Sequence, residues 1–272
     1  MSKRHFLVPD RQAKPGVPLD HNKWLGQAIA EYKPDVLIDL GDNADFPSVS
    51  THSAPGSLEK EGQRLLKDIE AAKEADAIMF AAMGKFRPKR MVRLRGNHEN
   101  RLDRYLQANP VLDGILGLHL LDDGDWEIVP FRNGAPGVVV IDGVHYAHYF
   151  ANPNTGKPIG GTATYKLAAI GAPFAQGHVQ GYDIGTRQYA TGKVIRGIVA
   201  GSYYLHDEPY KGQANTHDRC CVVLNEVNNG RFSEMPLTID YLCRKYEGTS
   251  VARFLQRKYR RAKERFTLAV SA

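Results

Sequence analysis

The sequence predicts a mixed α/β fold in which two β-sheets pack face to face with helices on the outside. Two patterns predict it. About the first 100 residues alternate strand, helix, strand, helix, strand, the order of parallel βαβ units. The second half is a run of hairpin signals, which favours antiparallel pairing. Bulk composition agrees: the 272 residues are 42% hydrophobic and 24% charged. That balance suits a chain with a buried core and excludes a mainly disordered, collagen-like or coiled-coil one.

Residues 4–8 read as a short buried strand that stops at Pro9-Asp10. Trp24, Leu25, Ala28, Ile29 and Tyr32 recur at helical spacing over residues 20–32, with Asp20 as N-cap and Pro34 as terminator. The apolar run 36–40 has strand length and is stopped by Gly41-Asp42. A polar loop with Pro47, Pro55 and Gly56 follows. Leu58, Leu65, Leu66, Ile69, Ala72, Ala75, Met79 and Met83 then predict one long helix closed by Gly84. Residues 91–94 read as the third strand, stopped at Gly96-Asn97. In such sheets functional side chains gather past the carboxyl ends of strands, where Asp10, Asp42 and Asn97 lie.

Further on, Val138–Ile141 and Val144–Ala147 flank Asp142-Gly143, a strong two-residue hairpin signal. Residues 162–171 predict a helix, and 173–176 a short strand ending at Gly177-His178. Two more hairpins are expected, around Thr191-Gly192 and around Asn228-Asn229-Gly230. No internal repeat or low-complexity linker interrupts the chain, so one domain is expected over residues 1–243 and a basic tail over 244–272. Gly248 separates the tail, and Thr249 or Ser250 caps its helix. Val251, Phe254, Leu255, Tyr259, Ala262 and Phe266 form one apolar stripe, which docks the tail on the body and leaves a basic face in solvent.

The net charge of +6 is unevenly spread, because residues 244–265 hold nine basic and two acidic residues and the rest is close to neutral. Such a tail suits contact with nucleic-acid phosphates, or is simply a solvated helix face. No apolar run approaches the ~20 residues that cross a bilayer, so no membrane partner is expected. The apolar stretch after Met1-Ser2-Lys3-Arg4 stops at Pro9, too short for a signal-peptide core. Cys220, Cys221 and Cys243 are odd in number and lack C-x-x-C spacing, which argues for a reducing cytoplasm and against a thiolate zinc site. Asn154-Thr155-Gly156-Lys157 is not a P-loop, since Ala151 and Pro158 occupy required Gly and Ser/Thr positions. Oligomeric state stays open.

Five strand-end signals carry the chemistry: Pro9-Asp10-Arg11-Gln12, Gly41-Asp42-Asn43-Ala44-Asp45, Gly96-Asn97-His98-Glu99, Val144-His145-Tyr146-Ala147-His148 and Gly177-His178-Val179-Gln180. Carboxylate, amide oxygen and imidazole are donors for a hard-to-borderline divalent ion. Each signal alone is weak; their combination and order are specific. Over about residues 4–243 the chain resembles the calcineurin-like metallophosphoesterases, whose pattern is Asp-x-His, Gly-Asp-x-x-Asp, Gly-Asn-His-Glu/Asp, a strand-end His, then Gly-His-x-His. The resemblance implies an αββα two-sheet sandwich and two divalent ions at the strand ends. It further implies that Asp42 bridges both ions, that Asn97, His148 and His178 complete one site, and that Asp10 belongs to the other. His98 then lies beside the substrate with Asp45 orienting its imidazole.

Two departures stand out. Gln12 and Gln180 occupy positions where the family has histidines on the first metal. A first site of Asp10, Gln12, Asp42 and Gln180 prefers Mn²⁺, Mg²⁺ or Ca²⁺ over Zn²⁺ and binds loosely or stays empty. Alternatively both glutamines only hydrogen-bond around a single metal. Mn²⁺ is the leading expectation, with Mg²⁺, Ca²⁺, Zn²⁺, Ni²⁺ or Fe as alternatives. His145 and His148 are three apart and face opposite sides of a strand, and the strand-end position favours His148. The remaining histidines, 5, 21, 52, 119, 206 and 217, are read as structural, with 52 and 206 in loops near the site.

The implied activity is phosphoester hydrolysis by metal-activated hydroxide, with His98 protonating the leaving oxygen, a task worth ~10²–10⁴ in rate. Arg11, Arg101 and Arg104 are candidate phosphate contacts. Phosphoprotein phosphatases of this superfamily carry an Arg where Phe46 stands, which disfavours a phosphoprotein substrate. A phosphodiesterase, with nucleic acid reached through the tail as a candidate substrate, is the first expectation. A phosphomonoesterase or cyclic-nucleotide phosphodiesterase is the second, and a non-catalytic binding module with a degenerate metal site the third. The loops 46–57, 150–161 and 202–217 are expected to set substrate choice.

Overall fold

In the computed structural model, which describes residues 2–52, 54, 56–208, 211–212, 215 and 218–259, the predicted alternation opens the chain. The elements are β1 (Lys3–Val8), α1 (His21–Tyr32), β2 (Val36–Asp39), α2 (Leu65–Met83), β3 (Arg90–Leu94), α3 (Glu99–Ala108) and β4 (Glu127–Val129). There follow β5 (Phe131–Arg132), β6 (Ala135–Pro136), β7 (Val138–Ile141), β8 (Val144–Ala147), α4 (Ala163–Ile170), β9 (Phe174–Gln176), β10 (Tyr182–Gln188) and β11 (Val194–Ala200). The chain closes with β12 (Cys220–Asn228), β13 (Arg231–Thr238), α5 (Ile239–Glu247) and α6 (Val251–Lys258). Among the described residues this is a mixed α/β fold with three sheets and six α-helices.

The six-stranded sheet runs β13-β12-β1-β2-β3-β4 and the five-stranded sheet β10-β11-β9-β8-β7, while β5 and β6 pair alone. β1 to β4 pair in parallel, as the βαβ reading expects. The second half is less uniformly antiparallel than expected: β9 pairs parallel to both β8 and β11. The last hairpin returns to the first sheet, with β12 antiparallel to β1. Residues 220–224 are wholly apolar and buried, and both faces are covered: Cys221 and Val223 pack with Trp24 and Met79 of the helices, Cys220, Val222 and Leu224 with Tyr146 and Ile198 of the other sheet.

Side-chain alternation divides the parallel strands between two apolar clusters. Phe6, Val8, Leu37 and Met91 pack with Trp24, Ile29, Met79 and Met83 of α1 and α2. Leu7, Ile38, Leu40, Val92 and Leu94 share a cluster with Val144, Tyr146, Ala175 and Ile198 of the other sheet. On that sheet's far side, Phe174, Ile195 and Val199 pack against Ala163 and Leu167 of α4.

Three local expectations need correction. The long helix begins at Leu65, because Gly62 adopts φ +73°, which a helix does not accommodate. Leu58 lies in a separate 3-10 turn, 84% exposed, and Leu66 is also exposed. Asp20 precedes α1 but its side chain makes no capping hydrogen bond; the carboxylate instead receives Lys258 and the Tyr259 hydroxyl.

The 243/244 boundary lies inside α5, which Gly248 ends and Ser250 follows as the cap of α6. Val251, Phe254, Leu255 and Tyr259 join the cluster of α1, so the stripe docks as expected. The expected Ala262, Phe266, Arg260, Arg261, Lys263, Arg265 and His217 lie outside the described residues. No helix among the described residues is long and apolar enough to cross a membrane.

Candidate metal centre

Each site loop begins where a buried strand ends. Asp10 and Gln12 follow β1, Asp42 and Asp45 follow β2, Asn97 and His98 follow β3, His148 follows β8, and His178 and Gln180 follow β9. Five of these residues leave their strands with left-handed backbones: Asp10 (φ 24), Gln12 (φ 43), Asp42 (φ 53), His178 (φ 68) and Gln180 (φ 67). Such conformations are costly for non-glycine residues and persist where the surroundings over-determine them.

Glycines let the loops close. A Cβ on Gly96 would lie 2.0 Å from Asp42 Oδ1, and one on Gly177 would lie 2.3 Å from Asp10 Oδ1. Glu99 then ties the loops together, its carboxylate accepting the backbone N–H groups of Asp42 (3.1 Å), Ala44 (3.1 Å) and Gly96 (2.8 Å). Glu99 belongs to the Gly-Asn-His-Glu motif, but its role rests on a loop 55 residues away, which the motif does not reveal.

Asp42, His148 and His178 bring ligand atoms within 4.8 Å of one another, a group able to hold a metal ion. Asn97 Oδ1 lies 3.0 Å from His148 Nε2 and 2.8 Å from His178 Nδ1. His148 Nδ1 donates to the Leu40 carbonyl (2.9 Å), so Nε2 faces Asp42 Oδ2 at 3.2 Å. With Nδ1–H committed to a backbone carbonyl, Nε2 is the nitrogen left for a metal that displaces its proton, as in metal-ligating imidazoles. His145 instead points Nδ1 toward the Pro173 carbonyl (3.3 Å) and takes no part.

The pocket is electrostatically prepared for a cation. Burial opposes protonation of His148, but Asp42 and Asp10 outweigh it and lift the imidazole to about 10. Burial also opposes ionisation of Asp42, and His148 and His98 reverse this, holding its carboxyl well below the usual range. Asp10 is raised to about 7, chiefly by burial and then by Asp42. His178 is lowered to about 4 by burial and by its neighbour His148.

The other expected donors are more loosely tied in. Asp10 Oδ1 accepts from the His178 N–H (3.0 Å), while its Oδ2 is buried without a hydrogen-bond partner. Both amide atoms of Gln12 are likewise buried and unpartnered. Gln180 Oε1 accepts from the Tyr204 hydroxyl at 2.9 Å. Orphaned oxygens on Asp10 and Gln12, beside a carboxylate and two imidazoles, fit a divalent ion.

His98 and Asp45 meet as expected, with Nδ1 2.8 Å from Asp45 Oδ1. Burial would lower His98, but Asp42 and Asp45 outweigh it and raise it. Arg101 donates to the Asp45 carbonyl (2.7 Å) and Oδ1 (3.0 Å), and its Nη2 lies 3.0 Å from His98 Nε2. Arg101 therefore remains a phosphate-contact candidate. Arg104 is exposed on α3. Arg11 is corrected: it is buried and turned away from the metal loops, bonded to Asn22, Asp39 and Asp76. A buried guanidinium needs carboxylate partners, and those lie beneath the sheet end.

No known family model matches the sequence, and no curated protein matches it.

Proposed function

We propose that this chain is a divalent-metal-dependent phosphodiesterase of the calcineurin-like metallophosphoesterase kind, its two large sheets packed as a sandwich between helices. The observation that carries the reading is the convergence, from five separate strand ends, of Asp10, Asp42, Asn97, His148 and His178 beside a bonded His98–Asp45 pair. Asp42, Asn97, His148 and His178 would hold one ion, and Asp10, Gln12, Asp42 and Gln180 a harder, weaker second, Mn²⁺ being the preferred ion.

Bound there, divalent ions supply positive charge at the phosphoryl oxygens and lower the pKa of an attacking water. Asp45 keeps Nδ1–H of His98 occupied, which leaves Nε2 to deliver a proton to the leaving oxygen. The Arg101 guanidinium, its Nη2 3.0 Å from Nε2, would have to leave that nitrogen as it protonates and could then hold charge on the leaving oxygen. Phe46 is fully buried, so no cation stands at the position used by phosphoprotein phosphatases.

The basic tail carries less weight than its composition suggests. Lys245 pairs with Glu31, Arg244 with Asp240 and Lys258 with Asp20. A nucleic-acid contact would fall to Arg253, Arg257 and the residues beyond 259. The buried free thiols of Cys220, Cys221 and Cys243 support assignment to a reducing cytoplasm.

The test is hydrolysis of bis(p-nitrophenyl) phosphate against p-nitrophenyl phosphate by metal-stripped protein, with Mn²⁺, Mg²⁺, Ca²⁺, Zn²⁺ or Ni²⁺ restored. Diester cleavage that needs metal and is lost in His98→Ala is the expected result. Preference for the monoester would replace it with the phosphatase reading. No turnover with any ion would leave the binding-module reading.

A further inference from the structure

We propose that Lys14, held by Glu208, is a positioning residue for the His98–Asp45 pair and ties it to the loop after β11. The inference rests on the phosphoesterase reading above.

The contacts form a continuous chain. Asp45 Oδ1 takes His98 Nδ1 (2.8 Å), and Asp45 Oδ2 takes Lys14 Nζ (3.1 Å). Lys14 Nζ also donates to Glu208 Oε1 (2.7 Å), and the same oxygen lies 2.7 Å from His206 Nε2. His206 stacks on Tyr204, with ring centroids 4.6 Å apart and planes at 25°. Tyr204 in turn donates to Gln180 Oε1 (2.9 Å), so the chain runs from the proposed proton donor to a donor of the first metal site.

Nearly all of it is buried: Asp45 is 4% exposed, Glu208 2% and His206 5%. The backbone fixes both ends. Ala13 N–H donates to the Asn43 carbonyl (2.9 Å) and Asp45 N–H to the Ala13 carbonyl (3.0 Å), which sets Lys14 beside Asp45. Glu208 exchanges two 2.9 Å hydrogen bonds with Asn215.

A part-buried Lys between two carboxylates, its side chain 16% exposed, is poor evidence of stabilisation, because desolvation consumes much of the attraction. Geometry gives it a clearer task. With Oδ2 held by Lys14, the Asp45 carboxylate cannot rotate away from His98. The imidazole then keeps Nδ1–H on Asp45 and presents Nε2 to the substrate. His206, read from sequence as structural, acquires a part in that support.

The experiment is a leaving-group series. Aryl phosphoesters running from p-nitrophenol to unsubstituted phenol, of whichever class the Mn²⁺-reconstituted protein cleaves, are compared for wild type, Lys14→Met, Lys14→Arg and Glu208→Gln. A departing p-nitrophenolate needs little protonation, whereas phenolate needs it, so a misplaced His98 steepens the dependence. Lys14→Met should lose about tenfold or more in kcat on the phenyl ester and less than about threefold on the p-nitrophenyl ester, with KM unchanged. Lys14→Arg should restore most of the loss, and Glu208→Gln should repeat the pattern more weakly. Equal losses on every ester, no loss, or failure of Arg to rescue would overturn the proposal while leaving the phosphoesterase reading intact. Were Lys14→Met unable to fold, Glu208→Gln decides by the same criterion. A wild type inactive on all esters would overturn both.

Discussion

Gly96 shows how strictly single residues are constrained here. Its missing side chain leaves room for Asp42 Oδ1, which accepts the His98 N–H at 2.9 Å. Gly96→Ala would place a methyl 2.0 Å from that oxygen. It should cost about 3 kcal/mol or more and weaken metal binding together with stability. Thermal melts with and without Mn²⁺ measure both; a variant with wild-type melting and wild-type metal response would refute the close packing. The candidate donors could be picked out in the sequence, because Asp10, Asp42, Asn97, His148 and His178 each follow a strand or its turn. Arg11 was not. Its sequence position, between Asp10 and Gln12, carries no sign that its guanidinium turns toward Asp39 and Asp76.

Beneath the site, elements are joined by a buried ionic cluster. Arg11 from the loop after β1 and Arg93 of β3 share Asp39 of β2 and Asp76 of α2, and the Arg93 guanidinium lies 4.4 Å from the Trp126 ring centroid. Burial alone would raise Asp76, but Arg93 and Arg11 outweigh it and hold it at about 2. A carboxylate depressed in this way adds stability at pH values above its unfolded pKa and loses it as pH falls toward about 2. The contribution is about 2 kcal/mol. Urea denaturation from pH 7 down to 3 should show stability falling on the acid side, and Asp76→Asn should be less stable at pH 7 with a shallower acid decline. An unchanged acid limb in Asp76→Asn would remove Asp76 from this role. Element types were readable from periodicity, since β1, α1, β2, β3 and α4 lie within a residue or two of expectation. The start of α2 and the sheet membership of β12 were not, because one depends on Gly62 and the other on which sheet has an uncovered strand.

Across the whole molecule, α5 and α6 clasp α1, through Trp24 against Phe254, Lys23 and Trp24 on Glu247, and Tyr259 on Asp20. The strand-end loops come from both large sheets, so a metal held by Asp42, Asn97, His148 and His178 would couple them. A ligand that binds only the folded state stabilises it by about 2.7 kcal/mol at a hundredfold excess over Kd. Mn²⁺ should therefore raise the melting temperature and a chelator lower it. Metal must displace the proton that Asp42 and Asp10 hold on His148 up to about 10, so the Mn²⁺ shift should grow from pH 6 to pH 8. An equal shift in His148→Ala, or a shift that shrinks with rising pH, would place the ion elsewhere.

The amino-acid sequence by itself determined the alternation of strand and helix, the hairpin turns and the residues that end each strand, because these follow from local periodicity and turn chemistry. It also carried the ordered donor set, including both glutamines. Only the tertiary structure decided which donors meet, that Arg11 turns away, that Glu99 binds the loops, and that Lys14 and Glu208 reach Asp45. Those outcomes depend on contacts between residues up to 194 positions apart, as Lys14 and Glu208 are. No local pattern encodes such a separation, because sheet order and loop backbone conformation set it.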